Sequence, residues 1–313
     1  MKQPPYHLRP NKAVDRLLLI EAIRHLGKST ELDQYTYYGL GGPYLEDFRL
    51  LHESFPELGL VSIEEERQIF KRQEFHLPCG KVQLQNVDFS SFLRQYDSRD
   101  QKSIFWLDYT RLAYSQFDDF MSLLEKVAAR SMVKVTLRAN PNDYFQQREL
   151  DNFKRTFEVF LPNSSVVLPH SREAFAKLLQ DMLQIAAQRA LPSGSGMAYQ
   201  PLSSFYYKDR TGILTLTGIV CERSNLKNVR ESFSNWQYAS LNWAKPKQID
   251  VPILSTKERL HLQKDLPCEG DAGRILVRAL GYYVDDNRRE SIRKMRQYAH
   301  FYRHFPYFMK AIP

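Results

Sequence analysis

The chain has 313 residues, of which 43% are hydrophobic and 26% charged, and its 44 Lys and Arg against 36 Asp and Glu leave a formal charge of +8. A chain of this size buries roughly 75% of the surface its unfolded form exposes, so it needs neither a disulfide framework nor a structural metal. The composition excludes disordered and collagen-like classes. No apolar run approaches the roughly 18 residues of a membrane-spanning helix, and the polar start Met1-Lys2-Gln3-Pro4-Pro5 has no signal-peptide segment, so a cytoplasmic protein is expected.

Residues 11–27 carry Leu19, Ala22, Ile23 and Leu26 on one helical face and end at Gly27, a helix with a glycine cap. Asn11 is its expected N-cap. Tyr35–Tyr38 is a β-prone run entering Gly39-Leu40-Gly41-Gly42-Pro43, and a helix follows over Leu45–Phe55. Leu58–Ile63 is the second strand, leading through Glu64-Glu65-Glu66 into a helix to about His76. Val82–Val87 is the third strand, ending at Asp88, with a short helix over Ser90–Tyr96. Ser103–Leu107 is the fourth, ending at Asp108, with a helix over Phe117–Ala129, and Met132–Leu137 is the fifth. Strands separated by helices predict crossover units and a parallel sheet covered on both faces. The second and fourth strands are nearly continuous apolar runs, as buried parallel strands are. Gln83 and Gln85 alternate with apolar residues and put the third strand nearer an edge.

Residues 139–170 are polar and irregular around a helical piece near Asp143–Phe160, and read as an insertion. A long helix follows over Arg172–Ala190, broken by Pro192-Ser193-Gly194-Ser195-Gly196. Gln200–Tyr207 and Gly212–Cys221 are two β-prone runs whose short polar joint makes them an antiparallel hairpin. The expected fold is therefore α/β: a doubly wound, mostly parallel seven-stranded sheet closed by an antiparallel hairpin, with a helical C-terminal appendage. The expected divisions are an N-terminal helical segment (1–29), the α/β domain (30–224) and a basic helical region (225–313).

Open α/β sheets bind ligands at the carboxyl ends of their strands, and the acids and glycines fall there. Gly39, Gly41 and Gly42 after the first strand permit a tight turn and close backbone approach. Glu64 closes the second strand 20–25 residues later, where an acid reaches ribose hydroxyls. Asp88 closes the third strand, either to accept from an adenine amino group or to cap the next helix. Asp108, followed by Tyr109, closes the fourth. Cys79, Cys221 and Cys268 are odd in number and widely spaced, with no Cys-x-x-Cys pair, so free thiols and no metal site are expected.

These four groups in register, Tyr38-Gly39-Leu40-Gly41-Gly42, Val61-Ser62-Ile63-Glu64, Asn86-Val87-Asp88-Phe89 and Leu107-Asp108-Tyr109, with the hairpin that ends at Gly212–Cys221, resemble the class I S-adenosylmethionine-dependent methyltransferases over about residues 30–222. The resemblance implies S-adenosylmethionine as cofactor, with the loop Gly39, Gly41, Gly42 under its methionine part, Glu64 at the ribose and Asp88 at adenine. Asp108 would bind cofactor or orient the acceptor, with Tyr109 shaping the methyl pocket. Two departures are visible. No acid stands two residues before Gly39, and the fourth strand lacks the Asp/Asn-Pro-Pro-Tyr signature, which points away from exocyclic base amines as acceptors. A dinucleotide fingerprint would need a third glycine where Tyr44 stands, which disfavours a dehydrogenase.

The positive charge favours anionic partners, nucleic acid first. In the C-terminal region Arg289, Arg293 and Arg296 recur at helical spacing, and Tyr298, Phe301, Tyr302 or Phe305 would offer stacking surfaces for single-stranded nucleic acid. The alternative is a helix that docks its aromatics and solvates its arginines. Two functions follow: methyl transfer with an unspecified acceptor, nucleic acid among the candidates, or a binding or partner protein that keeps the fold without turnover.

Overall fold

The computed structural model describes residues 9–96, 101–109, 111–144, 146–162, 169 and 171–306. In chain order the elements are α1 (Pro10–Gly27), β1 (Tyr35–Leu40), α2 (Glu46–Ser54), β2 (Gly59–Ile63), α3 (Arg67–Phe75), β3 (Val82–Gln85), α4 (Phe89–Gln95), β4 (Lys102–Asp108), α5 (Tyr114–Lys126) and β5 (Met132–Arg138). There follow α6 (Gln147–Phe157), α7 (Arg172–Ala190), β6 (Met197–Lys208), β7 (Gly212–Glu222), α8 (Leu226–Phe233), β8 (Lys247–Ile249), α9 (Thr256–Leu262), α10 (Ala272–Leu280) and α11 (Arg288–Phe301).

The strand order is β3-β2-β1-β4-β5-β7-β6-β8. The first five strands run parallel, with Gly39 opposite both Ser62 and Trp106, and β7 runs antiparallel to β5 with Lys134 opposite Thr217. The doubly wound sheet with its reversed hairpin is as expected, β3 at the edge included. The short β8 adds an eighth strand; three residues are too few for an alternation to be read from sequence.

Successive side chains alternate between the faces of a strand. On one face Val61, Ile63, Phe105, Leu107, Val133, Val135, Leu214 and Leu216 join α4, α5 and α7 in one hydrophobic core. Across that core, Phe117 of α5 stacks on Phe160 at 4.9 Å and meets Phe157 edge-on at 5.6 Å. Phe153 and Phe157 come from α6, so the stretch expected as an insertion contributes to the core through one apolar helical face. Residues 145, 163–168 and 170 of that stretch lie outside the described set. The opposite sheet face is more polar: the Trp106 indole N–H donates to Thr136 Oγ1 at 2.9 Å, and Lys134 Nζ lies 4.3 Å from the Trp106 ring centroid. Among the described residues no helix is long and apolar enough to cross a membrane.

The chain divides into two compact units, one of Ile20–Tyr206 with Thr211–Lys247, the other of residues up to Leu19, Tyr207–Arg210 and those from Gln248 onward. The division differs from the expected one near 225: residues 225–247 belong with the sheet, and the first half of α1 belongs with the C-terminal helices. In that second unit Pro10 is the first helical residue, where a missing N–H is harmless. Asn11 lies inside the helix and is not its N-cap. Asp209 caps α1 instead, accepting from the Asn11 N–H at 3.3 Å and the Lys12 N–H at 3.0 Å. Burial pushes the Asp209 carboxyl up, and those two N–H groups with the Asn11 amide pull it back. The Asn11 side chain donates to the Lys208 carbonyl at 3.1 Å and accepts from the Val251 N–H at 3.0 Å.

Candidate functional site

Parallel strands place all their carboxyl ends along one rim. The order β3-β2-β1-β4-β5 reverses direction between β1 and β4, which is the switch point where an open sheet leaves a crevice. The glycine loop after β1 and Asp108 at the end of β4 flank that point. Glu64 stands one strand away, Asp88 two. At about 4.8 Å per strand these four ends span about 14 Å, room for an elongated nucleoside-sized ligand.

The loop after β1 is pinned from beneath. Gln73 of α3 is fully buried; its amide donates to the Gly41 carbonyl, and its carbonyl accepts from Ser62 Oγ at 3.2 Å. A Cβ on Gly41 would lie 2.2 Å from Ser62 Oγ and 2.8 Å from Gln73 Nε2, whereas one on Gly42 would meet nothing within 4 Å. Gly41 is therefore needed for packing, and Gly42 leaves an open surface above the loop. Leu45, which ends the loop, takes a left-handed φ of 50°, unusual and strained for a leucine, and is buried. Gly41→Ala is expected to lower stability by about 1–3 kcal/mol through overpacking, and Gly42→Ala to stay within about 0.5 kcal/mol of the parent. Thermal melts of the two variants check this, and equal melting temperatures would contradict the packing role.

Glu64 is half-buried, and one carboxylate oxygen accepts from the Glu66 N–H at 2.8 Å. Burial pushes its carboxyl above the usual glutamate range, against the pull of that N–H. Asn86 donates to the Glu64 carbonyl at 2.7 Å and so ties the β3 end to the β2 end. Asp88 is the N-cap of α4, accepting from the Ser91 N–H at 2.8 Å; the Ser91 hydroxyl and N–H hold its carboxyl below the usual range. The capping alternative is thus realised, and Asp88 remains an ionised group on the rim.

Asp108 is half-exposed at the end of β4, opposite Thr136. Tyr109, expected to shape the methyl pocket, donates its hydroxyl to Asp119 Oδ2 at 3.1 Å, while Ser90 donates to Asp119 Oδ1 at 2.8 Å. Burial, then the Asp119 charge, raise the Tyr109 phenol well above its ordinary value. The Tyr109 hydroxyl is thus engaged by a neighbouring carboxylate. Gln73 and Asp119 were not singled out from sequence. A polar residue on the inner face of a helix, beside Phe70 or between Phe117 and Phe120, is the only local trace they leave.

In the second unit, Tyr298 and Phe301 of α11 and Phe305 just after it are buried. Arg293 pairs with Asp250 and with Glu290 at 2.8 Å, and Arg296 grips Asp271 with two nitrogens at 2.9 and 2.6 Å. That grip holds the Asp271 carboxyl at about 2. Arg289 is exposed. The stacking expected of Tyr298, Phe301 and Phe305 is corrected, because an apolar helix face was closed by its own unit.

A sheet ordered 3-2-1-4-5-7-6 with strand 7 reversed, a glycine loop after strand 1 and acids after strands 2, 3 and 4 define a class I methyltransferase-like protein. The chain belongs to the family described as "Putative O-methyltransferase", which matches residues 4–313. Among solved structures it is similar to Trm1 from Pyrococcus horikoshii in complex with S-adenosyl-L-methionine, at 8% identity and a TM-score of 0.48 over 93% of this chain and 76% of that one. It is also similar to the plantazolicin methyltransferase BpumL in complex with SAH, at 10% identity and 0.40 over 66% and 85%. A third is the 16S rRNA (adenine(1408)-N(1))-methyltransferase from Catenulisporales acidiphilia, at 10% and 0.35 over 65% and 91%. No curated protein sequence matches the chain.

Proposed function

We propose that this chain binds S-adenosylmethionine along the rim of β1 to β4 and transfers its methyl group to an acceptor oxygen. The observation that carries the reading is the glycine loop and Glu64 on adjacent strand ends beside the switch point. The residues present fit that cofactor: Gly42 leaves the loop open to a ligand, and Glu64 keeps a half-buried carboxylate beside it. Membership of a methyltransferase family supports the same reading.

When bound, the sulfonium supplies an already activated methyl group. The protein's own task is alignment. Glu64 would accept from the ribose hydroxyls, Asp88 from the adenine amino group, and the backbone of Gly39, Gly41 and Gly42 would lie against the methionine part. Asp108, at the switch point, would orient the acceptor hydroxyl and hold its proton.

Incubation with radiolabelled S-adenosylmethionine and separate nucleic-acid, protein and small-molecule pools tests the reading. Asp108→Ala is expected to slow methyl transfer about 10²–10⁴-fold, the usual range for a positioned acid or base, with cofactor affinity retained. If Asp108→Ala left transfer intact while Glu64→Ala abolished it, the role given to Asp108 would be wrong. Cofactor binding with no pool labelled would favour a partner protein that keeps the fold without turnover.

A further inference from the structure

Asp119 lies in the second turn of α5, and the chemistry above does not use it. Its two oxygens take hydrogen bonds from different elements: Oδ1 from Ser90, two residues past Asp88, and Oδ2 from Tyr109, the residue after Asp108. The segments it joins, the first turn of α4 after β3 and the loop after β4, follow strands that are not neighbours in the sheet, since β2 and β1 stand between them. Backbone pairing therefore does not set these two segments directly against one another. Asp119 reaches both at once from the helical layer. It is half-buried, and burial pushes its carboxyl up while the Ser90 and Tyr109 hydroxyls pull it down.

We propose that Asp119 is a positioning residue that latches the Asp88 loop to the Asp108 loop and thereby sets recognition of the nucleobase end of the cofactor. The inference rests on the cofactor reading given above. An ionised carboxylate only accepts hydrogen bonds, so it suits two hydroxyl donors whose own orientations it fixes. Hydrogen bonds to a charged group are the stronger kind. Losing the carboxylate frees Ser90 and Tyr109 together, and with them the spacing between the two acids on the rim.

Calorimetric titration with S-adenosylhomocysteine and with S-inosylhomocysteine, in which a carbonyl replaces the adenine amino group, tests the latch. The parent protein is expected to prefer the adenine compound, because Asp88 accepts from the amino group. Asp119→Ala is expected to weaken S-adenosylhomocysteine about 10-fold, the value of a lost hydrogen bond to a charged group, and to collapse the preference. Asp119→Asn, which keeps one acceptor, should fall between the two. Circular dichroism melts run alongside separate folding from positioning. A folded Asp119→Ala that keeps the parent preference overturns the proposal, even if its melting temperature drops, since a merely structural role would act on both compounds alike. If Asp119→Ala does not fold, the folded Asp119→Asn decides on the same criterion. Failure of the parent protein to bind either compound removes the cofactor reading and the latch with it. Binding of both with equal affinity overturns the latch and leaves the cofactor reading standing.

Discussion

Glu64→Ala is expected to weaken S-adenosylhomocysteine binding about 10–100-fold, because a carboxylate that accepts from a ligand hydroxyl contributes about 1.5–3 kcal/mol. Calorimetry measures this directly. Glu64 also accepts from the Glu66 N–H at the start of α3, so Glu64→Gln is the sharper variant: it keeps an acceptor for that N–H and removes only the charge. Both variants should weaken binding, Ala more than Gln. Affinity unchanged in both would remove Glu64 from the site. The same group predicts a pH dependence. Burial raises its carboxyl above the ordinary glutamate value of 4.5. Protonation removes an acceptor, so ligand affinity should fall as pH falls through the raised value, beginning at higher pH than an ordinary glutamate would allow. The Glu64→Gln protein should lose that component of the titration.

Phe117→Ala is expected to destabilise the fold by about 3–5 kcal/mol, the range for truncating a fully buried aromatic. Phe117 is fully buried and touches Phe157 and Phe160 from the stretch after β5. Urea unfolding should show a lower midpoint with an unchanged slope. Pairing the change with Phe160→Ala in a double-mutant cycle should give a coupling of about 0.5–1.5 kcal/mol for the stacked rings. A loss below about 1 kcal/mol for Phe117→Ala would mean that the stretch around α6 is not part of the core. That result would return residues 139–170 to the peripheral insertion that their polarity suggests.

The sheet was legible because parallel strands are written locally. Ile104, Phe105, Trp106 and Leu107 form an unbroken apolar run, and β4 is buried on both faces. Glu64, Asp88 and Asp108 are placed near strand ends by sequence alone because a strand's end is marked where its apolar run stops, and parallel topology carries every such end to one rim. The core contribution of residues 139–170 is hidden for a related reason. The buried aromatics, Phe153 and Phe157 of the largely polar α6 and Phe160 in the turn after it, are few, so overall polarity hides one buried face.

Alternation and helical period therefore determined from sequence alone the α/β class, the hairpin that closes the sheet and the row of acids beside the glycine loop. These patterns depend on residues within a few positions of one another. What only the tertiary structure decided depends on residues far apart in the chain. Asp209 caps the first turn of α1, accepting from the N–H of Lys12, 197 residues earlier. Asp119 joins Ser90 to Tyr109 across 29 and 10 positions. Gln73 reaches Gly41 across 32. Tyr298 is buried although it follows a stretch rich in Arg and Lys, Arg293 to Arg296. A side chain's partner, and whether it faces solvent, is set by the packing of elements against each other, and no local period encodes it.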